Sequence, residues 1–208
     1  MTASSLKIGI IGGGIGGLIA AVALRQAGFD VDLYEQAPKL TEVGGGINMG
    51  PNAVRVLHRL GLGARLDREG VQPISTHQRR WQNGRTLQKA PLNPACEKLY
   101  GAPHVTIHRA DLLAVIAAGF LAEHVHLGHR LVDLAERDDR VEARFDNRAR
   151  VAVDVLVGAD GIHSPAASPI AGWCRSSESP ISAWSAAISP GSVLVAILCT
   201  ISCRAGAC

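Results

Sequence analysis

The chain has 208 residues, enough for one domain of ordinary size or for one domain and a fragment of another. Apolar residues make up 47%, which suffices for a buried core, and the net charge of +3 is too small to indicate a nucleic-acid partner. No apolar run reaches the roughly 18 to 20 residues of a membrane-spanning helix, and the spacing of the early glycines argues against a signal peptide. We therefore predict a cytoplasmic protein without a membrane partner.

Residues 6–35 carry the most specific pattern in the chain. An apolar strand runs into a glycine turn with G-x-G-x-x-G spacing, and a helix and a second strand that ends at Glu35 follow. Gly12 permits the tight turn, Gly14 leaves room for a pyrophosphate beside the backbone, and Gly17 lets the helix approach the sheet closely. The pattern predicts a dinucleotide site, with the phosphates at the positive end of the helix and Glu35 on a ribose diol.

The residue after Glu35 limits which dinucleotide fits. Gln36 stands there, with no arginine or lysine beside it to bind a 2′-phosphate, so FAD or NAD is favoured over NADP at this site. The glycine pattern does not choose between FAD and NAD. A plain tight turn that binds nothing is the alternative interpretation.

The middle of the chain alternates loops and short elements. Gly44 to Gly46 predict a loop that lies against a flat ligand or, alternatively, a mobile connection. Pro51 begins a helix, and the turn pair Asn83 and Gly84 predicts a hairpin with solvated arginines. Arg109 follows a short strand, where a guanidinium can bind a phosphate or carboxylate or make a surface ion pair.

Residues 125–157 read as an antiparallel β-meander, with turns at Asp and Asn residues. The neighbouring histidines lack a carboxylate or thiol at metal-ligand spacing, so we predict no metal site. The apolar run that follows delivers Asp160 and Gly161 to a turn at the carboxyl end of a strand. Ligands of α/β folds bind at that end, although an ordinary Asp-Gly turn has the same sequence.

In this order, four motifs make the chain resemble the class A flavoprotein monooxygenases, the aromatic hydroxylases of the salicylate hydroxylase and 6-hydroxynicotinate 3-monooxygenase type. The motifs are IGGGIGG with its distal glutamate, VGGGINMGPNAVRVLHRLGL, VTIHRADLL and VLVGADGIHS. The resemblance covers roughly residues 5–164. It implies an α/β fold with a Rossmann-like parallel sheet, a small antiparallel meander and an incomplete substrate domain, with residues 1–164 as an incomplete FAD-binding domain.

The resemblance also implies which residues bind the cofactor, while the sequence identifies no catalytic residue. The fingerprint glycines would cradle the FAD pyrophosphate, the acid would bind the adenosine ribose, the glycine loop would lie near the isoalloxazine, and the arginine and the Asp-Gly pair would contact the cofactor. These residues are Gly12, Gly14, Gly17, Glu35, Gly45, Gly46, Ile47, Arg109, Asp160 and Gly161.

In that family, NAD(P)H reduces FAD, and O2 then forms a flavin C4a-hydroperoxide that hydroxylates a small electron-rich aromatic substrate, phenolic or a hydroxy acid. Two alternatives remain open at this point. A nicotinamide-dependent Rossmann dehydrogenase would share the glycine fingerprint, and a non-catalytic FAD-binding remnant would bind the cofactor and oxidise nothing.

The chain departs from the family pattern at two places. Asn48 stands where 6-hydroxynicotinate hydroxylases are expected to have a proton-transferring histidine, which argues against that substrate. Residues 165–208 hold only three charged side chains but four of the five cysteines. We interpret this tail as a frameshifted sequence that is not natively folded, and we expect an inactive and poorly soluble chain that lacks its substrate pocket.

Overall fold

The computed structural model describes residues 6–40, 44–137 and 140–161, together with the backbone of residues 195–197. Two compact units divide the chain: Met1–Leu40 with Phe120–Cys208, and Thr41–Gly119. Of the low-charge tail, residues 165–208, only the backbone of 195–197 is described. The predicted domain boundary after residue 164 therefore stays a prediction. In the described part of the chain, no helix is both long and apolar enough to span a membrane.

The elements follow one another in chain order as β1 (Lys7–Ile11), α1 (Ile15–Gln26), β2 (Asp30–Glu35), β3 (Gly46–Met49), α2 (Pro51–Arg59), α3 (Gly63–Glu69), β4 (Ser75–Arg79), β5 (Thr86–Pro91), α4 (Ala95–Tyr100), β6 (Val105–His108), α5 (Arg109–Ala117), β7 (Val125–Leu127), β8 (Leu131–Arg137), β9 (Arg140–Phe145), β10 (Arg150–Val153), β11 (Val155–Gly158) and β12 (Val195–Ile197). A short 3-10 helix, Ala122–His124, precedes β7.

The first unit is built on a parallel sheet with the strand order β12-β11-β1-β2-β7. Its centre is β1, which pairs with β2 on one side and with β11 on the other. Ile10 and Leu33 are fully buried, as the apolar run in β1 and the alternating apolar residues of β2 require. Because the chain leaves β1 toward β2 but returns as β11 on the opposite side, the loops after β1 and β11 emerge next to each other. The predicted Rossmann-like α/β fold is confirmed.

A three-stranded antiparallel sheet, β10-β9-β8, belongs to the same unit. Its apolar side chains Val141, Phe145 and Val153 share one buried cluster with Ile11 and Tyr34. The predicted meander is thus smaller than expected, because β7 and β11 belong to the parallel sheet instead. β7 joins that sheet through a crossover connection from β2, a long-range pairing that the local alternation of apolar residues does not reveal.

The second unit contains two two-stranded antiparallel sheets, β3-β6 and β4-β5. The predicted helix after Pro51 is α2, which buries Val54 and Leu57 and is followed by Gly61 at φ 77°. The predicted hairpin is β4-β5, and Gly84 in its turn has φ 68°. Both predictions are confirmed.

Candidate functional site

The carboxyl ends of β1 and β11 bring two loops together in the first unit. Ile11 pairs with Gly158, and the Ala159 N–H donates to the Ile11 carbonyl oxygen at 2.7 Å. Gly12 has φ +107°, and a Cβ there would lie 2.5 Å from the Ala159 carbonyl oxygen. Only glycine fits this position, because both the left-handed conformation and the close approach exclude a side chain.

The amino end of α1 opens toward the same edge of the sheet. Gly14 is its N-cap without any side-chain hydrogen bond, and the first turn holds no acidic residue. No side chain in the described ranges accepts from the first-turn N–H groups, which carry the positive end of the helix dipole, the usual arrangement for binding a phosphate.

Gly17 sets how closely α1 approaches the turn. A Cβ at this position would overlap the carbonyl oxygen of Gly12 and lie 3.3 Å from the Cβ of Ala159. The predicted close packing of the helix is confirmed, and the predicted phosphate contacts of the fingerprint glycines stay predictions.

Glu35 at the end of β2 is part of the glycine turn itself. Its Oε2 accepts a hydrogen bond from the Gly13 N–H at 2.5 Å, and its Oε1 accepts one from the Ala37 N–H at 2.8 Å. Sequence reasoning missed both contacts, although the pattern places Glu35 near the turn. An ionised carboxylate has about four acceptor positions, so room remains for the hydroxyl groups of a ribose.

Asp160 follows β11 at the same edge and holds an unsatisfied polar atom. Its Oδ1 is buried and has no hydrogen-bond partner among the described residues. Gly161 behind it adopts φ +91°, the turn conformation that favours glycine. Leaving a buried acceptor unpaired costs about 1–3 kcal/mol, so a hydrogen-bond donor placed against this oxygen would be stabilising.

In the second unit, the glycine loop and Arg109 lie together. The Arg109 N–H donates to the Gly45 carbonyl oxygen at 3.2 Å, and a Cβ on Gly44 would lie 3.1 Å from the Arg109 Cδ. Gly46 pairs with His108, and Ile47 pairs with Ile107, across β3 and β6. The four predicted residues of this unit, Gly45, Gly46, Ile47 and Arg109, therefore lie together at the β3-β6 sheet and the loop that precedes β3.

Comparison with known families identifies this arrangement. Residues 5–189 match the family described as FAD binding domain. The chain belongs to the FAD-binding domain family. The family match extends past Ser164, the last residue of the four sequence motifs.

Two curated relatives of this FAD-binding domain are aromatic monooxygenases. The 3-amino-4-hydroxybenzoate 2-monooxygenase of Streptomyces cremeus is 40% identical over 164 residues, covering 79% of the chain and 42% of that protein. The 6-hydroxynicotinate 3-monooxygenase of Bordetella bronchiseptica is 37% identical over 158 residues, covering 76% of the chain and 41% of that protein. The resemblance to class A FAD-dependent aromatic monooxygenases is confirmed, and the chain spans about two fifths of the length of these relatives.

A solved structure shows the same fold with its ligands. Klebsiella pneumoniae HpxO, complexed with FAD and uric acid, matches with a TM-score of 0.71 and 29% identity over 82% of the chain and 42% of that structure. The residues of this FAD-binding domain fit such a cofactor, because a turn restricted to glycine meets, at one edge of the sheet, a helix end and a buried carboxylate oxygen that no described side chain caps or pairs.

The histidines before and within β7 have a carboxylate partner that sequence spacing did not reveal. His124 Nδ1 and His126 Nε2 both donate to Asp32 Oδ1, at 3.0 and 3.2 Å, although Asp32 is about ninety positions away along the chain. Lys7 Nζ lies 3.4 Å from the other carboxylate oxygen. In the described part of the chain, no group of histidine, cysteine or acidic residues is arranged to hold a metal ion.

Asp32 makes stability depend on pH. Burial would raise the pKa of its carboxyl group, but the hydrogen bonds from both histidines and the charge of Lys7 lower that pKa below the usual 3.8. A lowered pKa stabilises the folded state above the unfolded-state value, and this stabilisation is lost as pH falls through the folded-state value.

We expect Asp32→Asn to reduce the free energy of unfolding by about 1–2 kcal/mol near neutral pH and to have little effect at an acidic pH below the lowered folded-state pKa, where the wild-type carboxylate is itself protonated. Urea unfolding at both pH values measures the difference. Asp133→Asn is the matched control, since that exposed carboxylate pairs with Arg144 on the surface and should contribute less than about 0.5 kcal/mol. An equal loss from Asp32→Asn at both pH values would contradict the electrostatic account.

Proposed function

We propose that the chain forms the FAD-binding part of an aromatic-ring hydroxylase that uses NAD(P)H and O2. The observation that supports this most strongly is that the glycine turn, the amino end of α1 and the buried Asp160 oxygen, which has no partner within the described residues, meet at one edge of the sheet. The names of the relatives support the reaction type, and the lack of a cationic residue directly after Glu35 supports FAD over an NADP-type ligand at this position.

In this proposal, the site residues of the first unit bind different parts of the cofactor. The first-turn N–H groups of α1 bind the pyrophosphate, which Gly14 allows to approach the backbone. Glu35 accepts hydrogen bonds from the adenosine ribose while it keeps the Gly13 N–H in place. The Asp160 carboxylate accepts a hydrogen bond from a cofactor hydroxyl group, which satisfies its buried oxygen, and Gly161 permits the turn that presents it.

The second unit provides contacts of a different kind. The backbone of Gly45, Gly46 and Ile47 is proposed to lie against the isoalloxazine ring, because no heavy atom of the described residues lies within 4 Å of the Cβ position of Gly45, which leaves a flat approach open. Arg109 is proposed to contact the cofactor with its charged side chain. When bound, FAD supplies the reductive activation of O2 and the transfer of one oxygen atom to the ring.

The proposed substrate is a small electron-rich aromatic compound, phenolic or a hydroxy acid, as the names of the curated relatives suggest. Flavin absorbance and oxygen uptake by the purified protein, with NADH or NADPH and a hydroxybenzoate, test this, and bound flavin without turnover is the result expected of the inactive chain that the sequence predicts. Hydroxylated product supports the proposal, whereas nicotinamide-linked oxidation of a substrate without bound flavin would support a dehydrogenase.

Glu35→Gln tests the adenosine end of the site. The amide replaces one acceptor oxygen with an NH2 group that cannot accept from a backbone N–H or a ribose hydroxyl, and the variant loses the negative charge. We expect the Kd for FAD, measured by flavin fluorescence, to rise at least about tenfold. Glu136→Gln, on an exposed position of β8, is the matched control and should leave this Kd unchanged. Equal FAD affinity in both variants would show that Glu35 does not contact the cofactor.

A further inference from the structure

The loop that follows β7 is hydrogen-bonded to the end of β2. The Gly128 N–H donates to the Ala37 carbonyl oxygen at 3.1 Å, and the His129 N–H donates to the Glu35 carbonyl oxygen at 2.8 Å. Gly128 adopts φ +67°, a left-handed conformation that glycine takes up without strain. The loop therefore fixes the backbone from which the Glu35 side chain extends.

The Glu35 carboxylate is held by the same short segment. Its Oε1 accepts from the Ala37 N–H, and its Oε2 accepts from the Gly13 N–H in the glycine turn. Ala37 thus contacts both partners, since its N–H holds the carboxylate and its carbonyl oxygen accepts from Gly128. A shift of the loop after β7 would move Ala37 and, with it, the carboxylate that is proposed to bind the ribose.

A turn of the antiparallel meander supports this loop. Asn147, between β9 and β10, donates from Nδ2 to the Gly128 carbonyl oxygen at 3.0 Å. Its Oδ1 accepts from the Ala149 N–H at 2.9 Å, which fixes the orientation of the amide. The Asp146 N–H donates to the Arg130 carbonyl oxygen at 3.0 Å, a second bond between the turn and the loop. A series of hydrogen bonds therefore links the meander to the glycine turn.

We propose that Asn147 is a positioning residue for binding of the adenosine ribose. It acts through Gly128 and Ala37, and it keeps the remaining acceptor positions of the Glu35 carboxylate directed at the ribose hydroxyl groups. The meander thereby contributes to cofactor affinity as well as to the buried core. This inference rests on the proposed function, in which Glu35 binds the ribose, and it adds a residue that the glycine pattern does not reveal.

The test compares two ligands of the purified, flavin-free chain: ADP, and 2′,3′-dideoxy-ADP, which has the same charge but lacks both ribose hydroxyl groups. Asn147→Asp keeps an oxygen that accepts from the Ala149 N–H but removes the donor to Gly128. We expect the Kd for ADP and for FAD to rise about threefold, and the Kd for the dideoxy nucleotide to change less than about 1.5-fold. Charge repulsion or a general loss of structure would weaken both nucleotides alike.

Three further variants separate positioning from other effects. Asn147→Ser removes the amide donor without adding a charge and should have the same effect on ADP binding. Asn83→Asp makes the same chemical change in the turn between β4 and β5, where Asn83 Oδ1 likewise accepts from a backbone N–H, and it should leave every Kd unchanged. Adding Asn147→Asp to Glu35→Gln should weaken ADP binding no further, because the carboxylate that Asn147 positions is then absent.

The results distinguish this inference from the proposed function. If FAD and ADP bind but Asn147→Asp weakens neither, or weakens ADP and dideoxy-ADP equally, the inference is wrong and the FAD site stands. The same holds if the unaltered chain binds both nucleotides equally, or if Asn147→Asp keeps its full effect in the Glu35→Gln protein. If neither FAD nor ADP binds to the unaltered chain, the proposed function fails and the inference fails with it.

Discussion

Replacing Gly17 with alanine is expected to destabilise the protein by about 3 kcal/mol and to abolish FAD binding. The added Cβ would overlap the carbonyl oxygen of Gly12, and neither backbone can move without displacing α1 from the sheet. Because the same shift would move the amino end of α1, the proposed pyrophosphate contacts would be lost as well. Urea unfolding followed by circular dichroism measures the first effect, and fluorescence titration with FAD measures the second.

Gly45→Ala is the control for the effect on stability alone, because Gly45 is itself proposed to lie against the flavin ring. The backbone there does not require a positive φ, and among the described residues no heavy atom lies within 4 Å of the Cβ position, so we expect a change in unfolding free energy below about 0.5 kcal/mol. If Gly17→Ala were as stable as Gly45→Ala and still bound FAD, the close approach of α1 to the turn would have no part in the site.

Removing the Asp160 carboxylate should have opposite effects on stability and on binding. In the cofactor-free protein, Asp160→Ala eliminates a buried oxygen to which no described residue donates a hydrogen bond, so we expect the free energy of unfolding to rise by about 1–2 kcal/mol. The same change removes the proposed acceptor for a cofactor hydroxyl group, and we expect the Kd for FAD to rise at least about tenfold.

The opposite signs make this test decisive, because a residue with a purely structural role would lose stability on truncation. Thermal unfolding without cofactor and FAD titration supply the two readouts. Asp146→Ala, at an exposed turn of the meander, should change neither quantity. A less stable Asp160→Ala protein that retained full affinity for FAD would show that the buried carboxylate serves the fold alone.

Local sequence patterns predict those elements of this protein that are determined by residues close together in the sequence. The turn at Gly12, the helix that follows it and the strand ending at Glu35 depend on backbone sterics and on apolar periodicity over a few residues, and all three predictions are confirmed. The left-handed conformation of Gly161 likewise follows from an Asp-Gly turn.

Contacts between distant segments cannot be predicted in the same way. Asp32 meets His124 and His126 only because β7 lies beside β2 in the sheet, and the strand order is not visible in the spacing of residues. For the same reason, local alternation wrongly places β7 in the meander. The hydrogen bond from the Gly13 N–H to Glu35 also depends on the conformation of the Glu35 side chain. The sequence distance between the glycine turn and Glu35 does not define that conformation.

The most direct test of the FAD assignment is an equilibrium titration of the purified chain with FAD, NAD and ADP. We expect saturable binding of one FAD per chain, competition by ADP for the adenosine end of the site, and loss of both in Gly17→Ala. Tight binding of NAD without any binding of FAD, or FAD binding that ADP does not displace and Gly17→Ala does not weaken, would contradict the assignment of the glycine turn as an FAD site.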